Sequence, residues 1–161
     1  MSPVNNVTRF LDSKKVPYTA FETPADKMGA RETAEYLRVP PEVVFKTIVV
    51  TREKPKKPIL VVIPGPQVVD LKLLAAFLGE KKVHLPTERE AEQLTGLQAG
   101  GISPLALINR GFQVVIDSTA QDYPEIHVSG GQRGLNIKLP VADLISLTKA
   151  RLALVSRAEN E

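Results

Sequence analysis

Val43-Val44-Phe45-Lys46-Thr47-Ile48-Val49-Val50 is followed, after a turn-rich basic stretch at residues 51–58, by Ile59-Leu60-Val61-Val62-Ile63. Both runs are dominated by β-branched residues, which favour extended backbone, so they read as a strand pair joined by a solvated loop. Toward the N-terminus, Ser2-Pro3 reads as an N-cap and first helical residue, with Val4, Val7, Phe10 and Leu11 at helical spacing before Pro17. A second helix over residues 30–38 places Ala30, Ala34 and Leu37 on one face and must stop before Pro40-Pro41. Toward the C-terminus, Asp70 reads as the N-cap of a helix over residues 71–78, closed by Gly79. Thr87 and Glu90 form a capping box for a short helix that ends at Gly96. Residues 114–116, 125–128 and 135–139 read as strands, and residues 141–147 as a last helix. This irregular alternation, with several hairpin-like pairs, favours an α+β fold over a doubly wound parallel sheet.

The chain has 161 residues, the size of one domain, and is expected to form one over its whole length. Hydrophobic residues make up 43% and charged residues 24%, enough apolar material for a core. With no cysteine, disulfides, thiolate zinc sites and cysteine nucleophiles are excluded, and two histidines, His84 and His127, argue against a multi-histidine metal centre. No metal or cofactor is expected. No apolar run approaches the roughly 20 residues of a membrane helix, and no charged-then-apolar leader opens the chain, so a cytoplasmic protein is expected. A net charge of +3 permits an anionic partner without requiring one.

Six of the ten glycines fall in two short stretches, at residues 96–101 and 130–134. Paired glycines let successive N–H groups turn toward an oxygen-rich group, such as an ester carbonyl or a phosphate, or they serve only the geometry of two tight turns. Lys46 interrupts an apolar run and shares a face with Ile48 and Val50. Its ammonium either snorkels at the sheet rim or lines a pocket as a compact charge with three donors. Asp117, His127 and Ser129 invite a triad reading, but residues two apart on a strand stand side by side and do not normally hydrogen-bond to each other. His84 reads as a packed or surface histidine. Arg52, Lys54, Lys56 and Lys57 read as a solvated basic hairpin tip, with no aromatic platform on which to stack bases.

Phe45-Lys46-Thr47-Ile48-Val49-Val50, the stretch at residues 95–104 ending Gly-Gly-Ile-Ser-Pro, Asp117 in Val-Ile-Asp, and Val128-Ser129-Gly130-Gly131-Gln132-Arg133-Gly134-Leu135 together resemble the YbaK family. These proteins are free-standing relatives of the editing domain of bacterial prolyl-tRNA synthetase, and the resemblance runs over residues 4–150. It implies a mixed, mainly antiparallel and partly barrel-like sheet with flanking helices. It also implies a trans-editing deacylase that removes cysteine from mischarged tRNA-Pro, with the acceptor end of that tRNA and prolyl-tRNA synthetase as partners. By the same resemblance Lys46 and Gly101 are catalytic, with backbone N–H groups near Gly101 facing the ester carbonyl. Thr47, Gly100, Ile102, Ser129, Gly130, Arg133 and Asn136 would bind substrate. The family chemistry uses the substrate's own thiol, so no protein nucleophile is needed.

Three positions depart from the family pattern: Asn136 stands where an acidic residue is common, Ala106 where a glycine is common, and Thr23 or Phe21 where a tyrosine is common. The alternatives are a deacylase for alanyl, seryl or threonyl esters using water, or a non-catalytic module that binds tRNA or the synthetase. Nucleotide binding by the glycine loops alone is a weaker alternative, because neither loop has the Gly-x-x-x-x-Gly-Lys pattern.

Overall fold

A computed structural model describes residues 3–53 and 55–159. The strand pair is present as β2 (Phe45–Arg52) and β3 (Ile59–Pro64), which lie antiparallel with Lys46 opposite Ile63. They form the centre of a five-stranded mixed sheet, completed by β5 (Val83–His84), β6 (Gln113–Asp117) and β9 (Arg151–Ala153) in the order β5-β2-β3-β6-β9. β6 runs parallel to both β3 and β9. β1 (Thr19–Glu22), β8 (Leu135–Pro140) and β7 (Glu125–Ser129) form a second, antiparallel sheet, and β4 (Gln67–Val69) pairs with β10 (Ser156–Ala158). A parallel bridge between Val44 and His127 brings the first two sheets together. Apart from that bridge the three sheets stay separate, and no closed barrel forms among the described residues.

The period-2 alternation of β3 explains why all six of its residues are buried. Leu60 and Val62 enter one core cluster with Val7 and Leu11 of α1 (Asn6–Ser13), Ile126 and Val128 of β7, Ile137 of β8, and Leu144 of α5 (Val141–Thr148). Ile59, Val61 and Ile63 enter a second cluster with Leu74 and Ala75 of α3 (Leu71–Leu78) and Val69 of β4. The central sheet is thus covered on both faces, as its uninterrupted apolar runs require.

Helix α3 begins and ends where expected: the Asp70 carboxylate accepts the Leu73 N–H at 3.0 Å, and Gly79 is left-handed at φ +70°. The Thr87–Glu90 box opens α4 (Glu88–Thr95), and α2 (Ala30–Leu37) stops before Pro40. Helix α1 starts later than the Ser2-Pro3 reading. Asn5 is its N-cap, exchanging side-chain and backbone bonds with Thr8 at 3.0 and 2.8 Å; Pro3 is outside the helix, and Ser2 lies outside the described residues. The Asn5 amide also donates to the Gly130 carbonyl at 2.8 Å, so a tertiary bond adds to the local one.

Arg52 is not part of a solvated tip. Its guanidinium is 10% exposed, 3.5 Å from Glu80 and hydrogen-bonded to Gln113, because β2 extends beyond its apolar run to pair with β5. Lys54 lies outside the described residues, and Lys56 stands 3.6 Å from Glu80. Buried Asp117 is structural: its carboxylate accepts the Val155 N–H at 2.9 Å and the Thr119 hydroxyl at 2.5 Å. Asp117→Asn is expected to cost about 1–2 kcal/mol, because one of these acceptors becomes a donor, and equilibrium denaturation will read the loss. Among the described residues no helix is long and apolar enough to cross a membrane.

Candidate functional site

Strand β5 pairs with β2 only at Thr51 and Arg52, so residues 45–50 have β3 on one side and, among the described residues, no strand paired on the other. A cavity of about 650 Å³ lies along this open edge. Because it wraps an edge, it receives residues from both faces of β2: Thr47 points with Phe45 and Val49, Lys46 with Ile48 and Val50, and Lys46 and Thr47 both line the wall. Gly100 and Ile102 of the first glycine loop line it, as do Ser129 at the end of β7 and Asn136 on β8. Six of the nine sequence-predicted site residues therefore share one hollow, and Thr23, from the segment after β1, lines it too.

Lys46 is part-buried, and its ammonium has no hydrogen-bond partner among the described residues. Desolvation lowers its pKa, Glu159 opposes that shift, and Arg31 adds to it. The protein leaves this charge incompletely compensated, an arrangement that can meet an anion or developing negative charge.

Gly101, Gly130 and Arg133 do not line the cavity, and each has a different task. A Cβ at Gly101 would lie 2.9 Å from Gln132 Cα and 3.0 Å from the Arg133 nitrogen, so the two glycine loops abut backbone to backbone. The Gly101 N–H donates to the Gln98 carbonyl at 2.8 Å and is unavailable to an ester carbonyl. The Gly100 and Ile102 N–H groups, by contrast, have no acceptor among the described residues. Gly130 closes the β7–β8 turn by donating to the Leu135 carbonyl at 2.9 Å, and a Cβ there would meet Leu135 Cγ at 2.4 Å. Arg133 buttresses the first loop, its Nε donating to the Ala99 carbonyl at 2.7 Å while the Ala99 N–H donates to Glu92 at 2.8 Å. Ala106 stands behind the second loop, its Cβ 3.0 Å from where a Gly131 Cβ would lie.

Asn136 is buried, with its side-chain oxygen 2.8 Å from His127 Nδ1, a pairing that sequence reading missed. His127 and Asn136 are diagonal neighbours across β7 and β8, where His127 pairs with Lys138 and Ser129 with Asn136. Phe21 packs its ring 5.5 Å from the His127 ring. Of the two candidates for the missing tyrosine, Thr23 faces the cavity and Phe21 faces His127. No triad forms, since Asp117 is engaged with Thr119 and Val155 and His127 with Asn136. His84 is a surface residue, 3.5 Å from Glu53.

Desolvation lowers the pKa of His127, the Asn136 bond raises it, Lys138 lowers it and Glu125 raises it. The unfolded chain then binds a proton more readily than the folded one, so stability decreases as pH falls through the ordinary value of 6.5 and levels off below the folded pKa. Denaturation between pH 8 and pH 5 is expected to show this loss, and His127→Gln to reduce it.

The site is thus a hollow on an open strand edge of an α+β fold, walled by two abutting glycine loops and one incompletely compensated lysine. A model of the "Aminoacyl-tRNA editing domain" matches residues 24–147. A relative from Enterococcus faecalis, provisionally named Cys-tRNA(Pro)/Cys-tRNA(Cys) deacylase EbsC, is 36% identical over 156 residues, covering 96% of this chain and 94% of its own. The chain belongs to the aminoacyl-tRNA editing domain family. Its fold is similar to the crystal structure of a hypothetical protein, with TM-score 0.86 and 23% identity over 95% of this chain and 100% of the other. It is also similar to a provisionally assigned trans-editing enzyme for prolyl-tRNA synthetase, with TM-score 0.79 and 23% identity over 97% of this chain and 100% of the other.

Proposed function

We propose that the chain is a trans-editing deacylase that clears cysteine from tRNA-Pro, working beside prolyl-tRNA synthetase. The observation that carries this reading is the meeting of Lys46, Thr47, Gly100, Ile102, Ser129 and Asn136 around one cavity. Cysteine and proline are close in volume, and one pocket separates similar small side chains by only about 1–3 kcal/mol, so a second site must remove the error.

The substrate's thiol attacks its own ester carbon. The S–C bond forms, the bond from that carbon to the ribose oxygen breaks, the thiol proton passes to the departing ribose oxygen, and a cyclic thiolactone leaves. Well-oriented intramolecular attack reaches effective molarities of about 10⁵ M or more, so holding the ester in one pose supplies most of the acceleration. Lys46 stabilises negative charge at the reacting end or on the adjoining phosphate. The Ile102 and Gly100 N–H groups, rather than that of Gly101, are the backbone donors for the oxyanion, since the Gly101 donor is already used. The peptide groups on the open edge of β2 offer further bonds to the aminoacyl moiety.

Asn136 shapes substrate choice. With its oxygen committed to His127, its NH₂ is left for the cavity, a neutral donor where a carboxylate would be an anionic acceptor.

The test is ester lifetime with purified protein and cysteinyl-, alanyl-, seryl- and threonyl-tRNA-Pro. Cysteinyl ester is expected to be lost fastest and to yield thiolactone. Selective loss of another ester would point to water attack, and charged-tRNA binding with unchanged ester lifetimes would make the protein a binding module.

A further inference from the structure

A second cavity, of about 660 Å³, adjoins the first and shares Lys46, Ile48 and Leu85 with it. It opens on the other face of the sheet, between β4, the start of α3 and the segment at residues 157–159. Lys46 stands in the common wall because, among the described residues, β2 has no strand paired on its second side at that position, so one side chain borders both hollows. We propose that this second cavity is a nucleotide subsite, which takes the nucleotide preceding the aminoacylated adenosine, with Lys46 at the phosphodiester that links the two.

This inference rests on the editing reading and follows from chain continuity. An RNA strand whose last adenosine occupies the first cavity must leave it through its 5′ phosphate. Lys46, the one charged residue common to both cavities, is a cation without a counter-ion bond among the described residues. Beyond it, Lys72 adds positive charge to the lining, as does Arg157, which is already engaged and donates to the Ala158 carbonyl at 3.1 Å. Two carboxylates oppose these three cations, Asp70, which also caps α3, and Glu159, so the lining keeps one net positive charge. Ile63, Val68, Val69 and Leu71 supply an aliphatic wall that a base can cover, and the volume lies within the range of small-ligand pockets. Among the described residues no aromatic side chain lines this cavity, so the subsite holds a base without stacking and reads its identity weakly. That suits an acceptor end common to all tRNAs.

Calorimetric titration of the full chain with AMP and with the trinucleotide CpCpA tests the subsite. AMP carries the linking phosphate and no preceding nucleoside. CpCpA is expected to bind at least tenfold more tightly, and this gain is expected to vanish in Lys72→Ala and in Val68→Glu while AMP binding stays unchanged. Both positions are solvent-accessible, so unchanged thermal unfolding will show that the variants fold. For CpCpA, the slope of log affinity against log salt is expected to fall by about 0.7 in Lys72→Ala, the signature of one lost phosphate contact on a single strand. CpCpA binding no tighter than AMP, or variants that weaken both ligands equally, would overturn the subsite. A protein that neither binds AMP nor shortens any aminoacyl ester's lifetime would instead remove the editing reading itself.

Discussion

Lys46→Ala is expected to slow ester cleavage by about 10²–10³-fold, the usual cost of removing one preorganised electrostatic group from an acyl-transfer site. The structure makes this loss separable from any loss of fold. Lys46 is part-buried with a lowered pKa, so its ammonium is more costly in the folded chain than in the unfolded one. A lysine shifted in this sense burdens stability at every pH below its folded pKa and ceases to do so only as pH rises past the ordinary value of 10.5. Lys46→Met, which keeps the aliphatic stem and removes the charge, is therefore expected to be at least as stable as the parent at neutral pH while sharing the catalytic defect. Single-turnover ester release together with denaturant unfolding will separate the two effects. A Lys46→Met protein that cleaves at the parent rate would take this residue out of the mechanism.

What the sequence displayed of this site and fold depended on how local each signal was. The boundaries of α3 and α4 were readable because Asp70, Thr87 and Glu90 bond within their own first turns and Gly79 and Gly96 end their helices nearby. Strand β1 was not readable: Thr-Ala-Phe-Glu has no marked alternation and is held in register by β8, a sequence-distant partner. The same holds for β4 and β10, three residues each, which exist through each other. Lys46 stood out because an isolated charge in an apolar run is conspicuous, and the glycine stretches because they cluster. The pairing of His127 with Asn136 arises only when two strands are laid side by side, so its signal is two polar residues that become diagonal neighbours once that register is known. Which N–H groups near Gly101 are open was hidden for a related reason. A glycine in a loop announces backbone freedom but not whether its N–H is already bound, and here the Gln98 carbonyl takes it.

Gly101→Ala is expected to disturb both stability and turnover, because this glycine is where the two loops touch. The added methyl would lie 2.9 Å from Gln132 Cα and carbonyl carbon and 3.0 Å from the Arg133 nitrogen. These are backbone atoms, and the turn that carries them cannot easily retreat. Asn5 bonds to the Gly130 carbonyl at 2.8 Å, Gly130 bonds to Leu135 at 2.9 Å, and Arg133 holds the Ala99 carbonyl at 2.7 Å. The first loop is equally constrained on its own side, through Glu92 to Ala99 and through Gly101 to Gln98. The clash must then be relieved by parting the loops, at a cost of about 1–3 kcal/mol for overpacking. That parting displaces Gly100 and Ile102, which line the cavity, and a misplacement of about 1 Å in a positioning wall costs about 10²-fold in rate. Gly79→Ala serves as the comparison. Gly79 has φ +70° and nothing within 4 Å of an added Cβ, so it loses about 1–2 kcal/mol to backbone strain and, being at the far end of α3, leaves turnover intact. Measuring both variants by denaturation and by ester release separates a general loss of stability from a broken junction. If Gly101→Ala retained full turnover, close apposition of the loops would not be what holds the ester in place.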